Sequence, residues 1–508
     1  VERARAWRTM AMSREDRAVF LSRFGGELKA LHPARLDVLL WEGETQAAEE
    51  LLPLVPAADA ALARARIALQ RKAPGVDALI AAVPKTRAND GGLAHDRFRW
   101  RLDKGRWDSA EELLAERSTS AEALGRPAAW SSSRRAIARN AMREGRIAEA
   151  YRLASRHFLR DGSDYADLEW LSGYLALTGL RDPALALRHF ERFAVGLETP
   201  ISLGRAGYWL GRTHEAAGNR TAALASYAAG GAHQTSFYGQ LAAERIGMEV
   251  DDLPARWGGL PDWRGRAFAN SSPIAAAMAL KAADDTQLAL RFILHVQESL
   301  GAEDSAALAR MGIDIGLNVA AVKIGKRLVR DGVLYPEAYY PVTSLASWSE
   351  KVPPELAMSI ARQETELNER AVSHAGARGL MQLMPGTAKK VAGDLGIRYE
   401  QVRLIDDPAY NALLGTAYLA EMLERYDGSV LLAAAAYNAG PHRADRWIDQ
   451  YGDPRVSGTD PIWWIENIPF RETRNYVMRV LESQHVYRTR ITRQAGPIGL
   501  NQSLGAGG

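Results

Sequence analysis

A mainly α-helical chain is predicted from three observations. A glycine-alanine pattern recurs through the first half, strand-forming residues are scarce there, and apolar residues follow helical spacing on both sides of each glycine. At 508 residues the chain is too long for one core, and roughly 100 to 200 residues per domain implies two to four. The expected architecture is an N-terminal α-superhelical solenoid over 1–270, a helical linker segment over 271–341, an α-rich domain over 342–492 and a mobile tail over 493–508.

The solenoid rests on its repeat. Gly43, Gly105, Gly145, Gly179 and Gly218 are each followed five residues later by alanine, at 48, 110, 150, 184 and 223, and four of these by leucine three residues on, at 51, 113, 153 and 187. Glycine ends the first helix of each hairpin by taking a positive φ, and alanine lets the second helix approach closely. The spacing resembles tetratricopeptide-like repeats with a loose period, which stack into a superhelix. The stretch "DDLPARWGGLPDWRG" (251–265) interrupts the pattern, so the solenoid is expected to end near Asn270. Helical periodicity resumes over 273–334 and stops at "YPEAYYP" (335–341).

Composition excludes several classes. The net charge of +3 is small for this length and does not call for nucleic acid. Within these 508 residues the absence of cysteine removes disulfides, thiolate metal sites, a cysteine nucleophile and a lipidated N-terminal cysteine, and leaves the compartment open. No apolar run approaches the roughly 18 to 20 residues that span a bilayer, so no transmembrane segment is expected. The chain starts at Val1 rather than Met, as a trimmed precursor or a recombinant chain would, so any export signal is expected to have been removed or never to have existed.

The chemistry is expected near "ARQETELNERAVSHAGARGLMQLMPGTA" (361–388). Pro353 and Pro354 suit a helix start, after which Leu356, Ala357, Ile360, Ala361 and Glu364 share one face. Glu366 falls elsewhere, with Ser359 and Arg362. Glu364 is thus the inward carboxylate, near a helix C-terminus whose dipole disfavours negative charge. Both placement and desolvation favour the neutral acid, as a general acid requires. The competing reading is a core glutamate hydrogen-bonded to backbone. Met381 and Met384 also suit core filling, Tyr437 suits a helix end, and His374 and His442 are isolated.

Four ordered motifs span about 115 residues: "QETELN", "AVSHAGARGLMQLMPGTA", "AAYNAG" (435–440) and "IPFRETRNYV" (468–477). Together they resemble the soluble lytic transglycosylases, peptidoglycan-cleaving relatives of goose-type lysozyme. More loosely, "SFYGQLAAERIG" (236–247) resembles the end of that family's superhelical ring domain and 273–341 its linker domain. The resemblance implies a lysozyme-like domain over 342–492 with Glu364 as its sole catalytic acid/base and Ser373 facing it. It also implies a groove lined by Gln382, Met384, Tyr437, Asn438, Glu472 and Tyr476. Thr365 departs from the family's usual serine but keeps the hydroxyl. The implied reaction breaks the β-1,4 bond between N-acetylmuramic acid and N-acetylglucosamine and closes a 1,6-anhydro ring. No metal or organic cofactor is implied. Peptidoglycan strands, and cell-wall synthases or other wall enzymes, are the implied partners, in the periplasm.

Two alternatives stay open. A goose-type hydrolase of the same bond needs a carboxylate for water, and Glu366, Glu369, Asp394 and Asp406 are available. A non-catalytic glycan-binding scaffold needs no acid on an apolar face.

Overall fold

The computed structural model describes residues 2–252, 255 and 259–505. Residues 253, 254 and 256–258 of the expected break, and 506–508 of the expected tail, lie outside the described residues. Among those described, the chain is helical throughout, and its only β-pairing is two isolated bridges, Val372 with Arg378 and Arg378 with Leu383. By internal packing it divides into Val1–Phe193 and Ala194–Gly508.

Helical hairpins build the first unit: His32–Glu42 with Thr45–Leu51, Gly91–Asp103 with Trp107–Arg117, and Pro127–Arg143 with Ile147–Ser155. Gly43, Gly105 and Gly145 turn the chain at φ 79°, 69° and 77°, and Ala48, Ala110 and Ala150 are fully buried five residues later. The next hairpin departs from the expected frame. Gly162–Tyr174 continues into a π-helical turn, Leu175–Gly179, and Gly179 is pressed on Ile147, where an added Cβ would lie 2.4 Å from Cγ2. Arg181 supplies the left-handed turn at φ 56°, and the buried alanine five residues on is Ala186, whereas Ala184 is exposed. The left-handed residue and the buried alanine thus both lie two positions beyond the expected Gly179 frame.

In the second unit Pro200–Ala216 and Arg220–Gly231 meet glycine to glycine, since a Cβ on Gly207 would stand 2.4 Å from Gly230 Cα. Gly218 (φ 76°) and buried Ala223 repeat the hairpin pattern there. Four helices, Ser272–Ala282, Thr286–Gln297, Ala302–Asp314 and Asn318–Arg330, then enclose a core that includes Ile293, Leu308, Met311 and Ile324. Gly325 lets the last of these press on Tyr339, whose Cα lies 2.8 Å from where a Cβ would be.

Beyond it the helix Pro354–Thr365 packs along the long helix Arg471–Thr492. The short helix is buried on more than its expected face, because Ser359 and Arg362 are buried as well. The long helix is tied back to Phe237–Arg245 through Glu482, whose carboxylate accepts from the Phe237 N–H at 2.6 Å. The segment after Thr492 is packed rather than loose as far as Gly505. Ile498, Leu500 and Leu504 are buried, and the N–H groups of Leu500 and Asn501 donate to Glu244 at 2.9 and 3.0 Å.

The Gly207 contact gives a direct test. Gly207→Ala is expected to lower stability by about 1–3 kcal/mol through overpacking, read as an earlier urea midpoint for the second unit, whereas Gly393→Ala, also within a helix but with open space around its Cβ, is expected not to lower it.

Candidate active site

Glu364 occupies the last turn of Pro354–Thr365. The helix begins on a proline pair, which lacks the N–H groups a first turn would leave unsatisfied, and ends where Glu366 adopts a left-handed conformation (φ 55°, ψ 33°). Glu366 therefore lies outside the helix, and this turn, more than helical face, separates the two carboxylates. Thr365 locks the turn: its hydroxyl donates toward the carbonyls of Ala361 (3.0 Å) and Leu380 (2.9 Å).

Across from Glu364, Tyr476 projects from the long helix and donates its phenol to Oε1 at 2.8 Å. Burial pushes the Glu364 carboxyl up to about 7; the Tyr476 bond opposes that shift, and the charge of Glu472 adds to it. The helix C-terminus acts in the same upward sense as burial. The phenols of Tyr476 and Tyr437 are pushed well above their usual range, first by burial and then by the Glu364 charge, so both remain hydrogen-bond donors. Tyr437 spends its proton on the Met381 carbonyl at 2.9 Å.

The loop 366–384 forms a frame around this pair. Gly379 (φ 74°) has no room for a side chain, since a Cβ would lie 1.9 Å from the Leu404 carbonyl oxygen. Fully buried Asn411 holds the loop from beneath, its Nδ2 donating to the carbonyls of Arg378 and Leu404 (both 2.9 Å) while Oδ1 accepts from Met381 N–H (2.9 Å). Asn411 lies outside the set of residues expected from the sequence. Its one signal was an amide within the otherwise apolar run "AYNALLGTAYLA".

Glu364, Tyr476, Tyr437 and Glu472 are thus linked by hydrogen bonding or charge. Asn438 joins the long helix by accepting from Thr473 Oγ1 at 2.6 Å. Ser373 Oγ accepts from Ala377 N–H at 3.0 Å, which leaves its own proton available. Gln382, at φ 51°, turns its amide onto the loop and donates to Ala371 O (3.1 Å) and Gly379 O (2.9 Å). Met384 is 44% exposed, and His374 and His442 are exposed. Of the four other carboxylates considered, Glu366 pairs with Lys323 and Lys326, Asp394 with Lys390 and Asp406 with Arg370, while Glu369 is pushed up by burial and eased by Lys281 and Arg370. Glu472 is the carboxylate whose charge adds to the upward shift of Glu364.

Residues 342–457 match the family described as the Transglycosylase SLT domain. The chain carries a transglycosylase SLT domain. That match ends before Glu472 and Tyr476, so the long helix adds two of the linked groups from outside it. Beyond the SLT domain, the chain is similar to the soluble lytic murein transglycosylase of Escherichia coli strain K12, 31% identical over 259 residues, which are 50% of this chain and 39% of that protein. It is 40% identical over 154 residues to a putative soluble lytic murein transglycosylase of Haemophilus influenzae, covering 30% of this chain and 25% of that one. The matched segments are therefore well under half of those relatives. In fold, it superposes with a TM-score of 0.68 on an inactive glutamate-to-glutamine mutant of lytic transglycosylase Slt from Pseudomonas aeruginosa, at 24% identity over 98% of this chain and 79% of that one. The fold is that of the soluble lytic transglycosylases.

A carboxyl held near 7 in the folded state, against roughly 4.3 in an unfolded chain, favours folding less as pH rises between those values and costs stability above both. Glu364→Gln is therefore expected to leave stability unchanged near pH 4 and to increase it at pH 8, as read from urea denaturation at the two pH values.

Proposed function

We propose that the chain is a lytic transglycosylase that cleaves the β-1,4 bond between N-acetylmuramic acid and N-acetylglucosamine in peptidoglycan and leaves a 1,6-anhydro end. The observation that carries this reading is Glu364 itself, a carboxyl raised to about 7 with one phenolic donor, inside an SLT domain. The proposal extends to the peptidoglycan strand as partner, to the periplasm as compartment, and to the limits at 270 and 341 as the ends of the solenoid and linker.

The chemistry needs one group in two protonation states. Protonated Glu364 gives its proton to the glycosidic oxygen as the C1–O bond breaks, and positive charge develops at C1 of the muramic acid. The resulting carboxylate faces that charge, then takes the proton of the C6 hydroxyl as O6 bonds to C1. Glu364 ends protonated, no water is consumed, and the cycle closes. A pKa near neutrality suits both half-reactions, since the acid and its conjugate base are similarly accessible. Tyr476 fixes which carboxyl oxygen is engaged and leaves the other for the substrate. Ser373, Gln382, Met384, Tyr437, Asn438 and Glu472 are proposed to line the sugar groove.

Hydrolysis of the same bond is less well supported. In most glycosidases a second carboxylate activates water, and three of the four candidates here are engaged in ion pairs with lysine or arginine.

Digestion of purified sacculi is expected to release 1,6-anhydromuropeptides, identified by mass spectrometry. Reducing ends that incorporate heavy oxygen from labelled water would instead establish hydrolysis. Glu364→Gln is expected to cut activity at least about 10³-fold, within the range for loss of a general acid–base group. Because the free enzyme must start protonated, kcat/KM is expected to fall as pH rises through about 7.

A further inference from the structure

Glu364 is flanked by two charged residues of its own segment, Arg362 and Glu366, and both are gripped by the segment that precedes the SLT domain. Arg362 donates its Nε to the Tyr339 carbonyl at 2.9 Å, and its guanidinium lies over the rings of Tyr339 and Tyr340 at 4.4 and 4.1 Å. Glu366 receives Lys323 Nζ at 2.5 Å on Oε2 and Lys326 Nζ at 2.6 Å on Oε1. Those lysines stand three residues apart on one face of Asn318–Arg330, whose other side is packed core. Gly325, between them, is pressed on Tyr339, so the two grips share one rigid base.

The grip falls where the backbone is least content. Glu366 (φ 55°) and Leu367 (φ 65°) are consecutive left-handed residues that are not glycine, a conformation that costs roughly 1–2 kcal/mol per residue. Glycine at the first position is the usual solution for a helix end. Here the side chain of Glu366 has a use that glycine lacks.

We propose that Lys323, Lys326 and Glu366 form a clamp that positions the catalytic carboxyl of Glu364, so that the helix Asn318–Arg330 is a functional part of the active site. The inference rests on the acid/base reading of Glu364 given above. These are positioning residues, and none touches the substrate. Holding Glu366 fixes the last turn of the helix and keeps Glu364 Oε1 on the Tyr476 phenol. The groups that bear on this region are Tyr476 and Glu472 from the long helix and Tyr437 from Val430–Ala439, which face Glu364, and Arg205, Glu298, Arg327, Arg330, Arg362 and Arg479, which line the same 860 Å³ cavity as the clamp.

A purely structural contact and a clamp with electrical reach differ in sign. Glu366→Gln leaves two lysines uncompensated and moves the Glu364 titration down. Lys323→Met with Lys326→Met leaves the carboxylate of Glu366 alone and moves it up. Each shift is expected to be on the order of half a pH unit per charge. In the full chain, both variants are expected to lower kcat about ten- to a hundredfold with KM within about twofold, as misplacement of a reacting group does, and Lys326→Arg is expected to restore most of the rate. The shifts are read in the pH profile of anhydromuropeptide release and, independently of turnover, in carbon NMR of labelled glutamate side chains, with Glu364→Gln to assign the signal. Unchanged kcat and unchanged titration in both variants, with melting showing intact folding, overturns the clamp. Shifts in the same direction with lost stability also overturn it, in favour of a merely structural tie. If the wild-type chain gives no anhydro product, the proposed function fails, while the NMR titrations still decide whether Glu366 and its lysines control Glu364.

Discussion

A half-buried carboxyl group at the negative end of a helix sets the terms for everything packed around it. The ionised form of Glu364 is disfavoured by burial and by its position, and a generous set of donors would reverse that, since a carboxylate that accepts several N–H bonds titrates well below its ordinary range. Among the described residues, the Tyr476 phenol donates to this carboxyl, and the nearby phenol of Tyr437 is directed to a backbone carbonyl instead. The number of donors tunes the acid. A second donor aimed at Glu364 would stabilise the carboxylate and weaken its capacity to give a proton near neutral pH.

That economy requires the rest of the site to satisfy its polar groups without recourse to the acid. The 366–384 loop does so internally. Gln382 folds its amide onto two carbonyls, Ser373 receives an N–H within its own turn, and Asn411 engages three backbone groups from below. A loop whose backbone is already paired keeps its shape before any sugar arrives, so little ordering remains to be done on binding. The 22-residue helix Arg471–Thr492 performs the matching task on the opposite wall, carrying Tyr476 on a rod buried along most of its length.

How much of this was legible follows from the range of the interactions. Hairpin turns at Gly43, Gly105 and Gly145 are written locally, because a positive φ is a property of one residue and glycine announces it. Glu364 was legible for a similar reason, from four-residue spacing and a nearby helix end, although the isolation of Glu366 came from a left-handed turn that glutamate does not advertise. Asn411 was not legible, since its partners are backbone atoms contributed by residues 7, 30 and 33 positions away. The segment 493–505 looked loose from its glycines. Its anchor, Glu244, lies more than 250 residues upstream, beyond the reach of any local pattern. The residues in the Lys323–Lys326–Glu366 group are individually ordinary, and only the fold brings two helices' worth of sequence together at one carboxylate.

The π-turn at Leu175–Gly179 bears on how such repeats are compared. The first helix runs through the π-turn past the point where Gly179 was expected to end it, and the partner helix then resumes with Ala186 in the buried position. Registering this hairpin on Gly179 would rotate the assigned face of Pro183–Ala194 by about 200°, at 3.6 residues per turn, turning its core side outward on paper. In each of these hairpins the left-handed residue, whether glycine or Arg181, stands five positions ahead of the buried alanine, and it is this residue that marks the register of the contact surface.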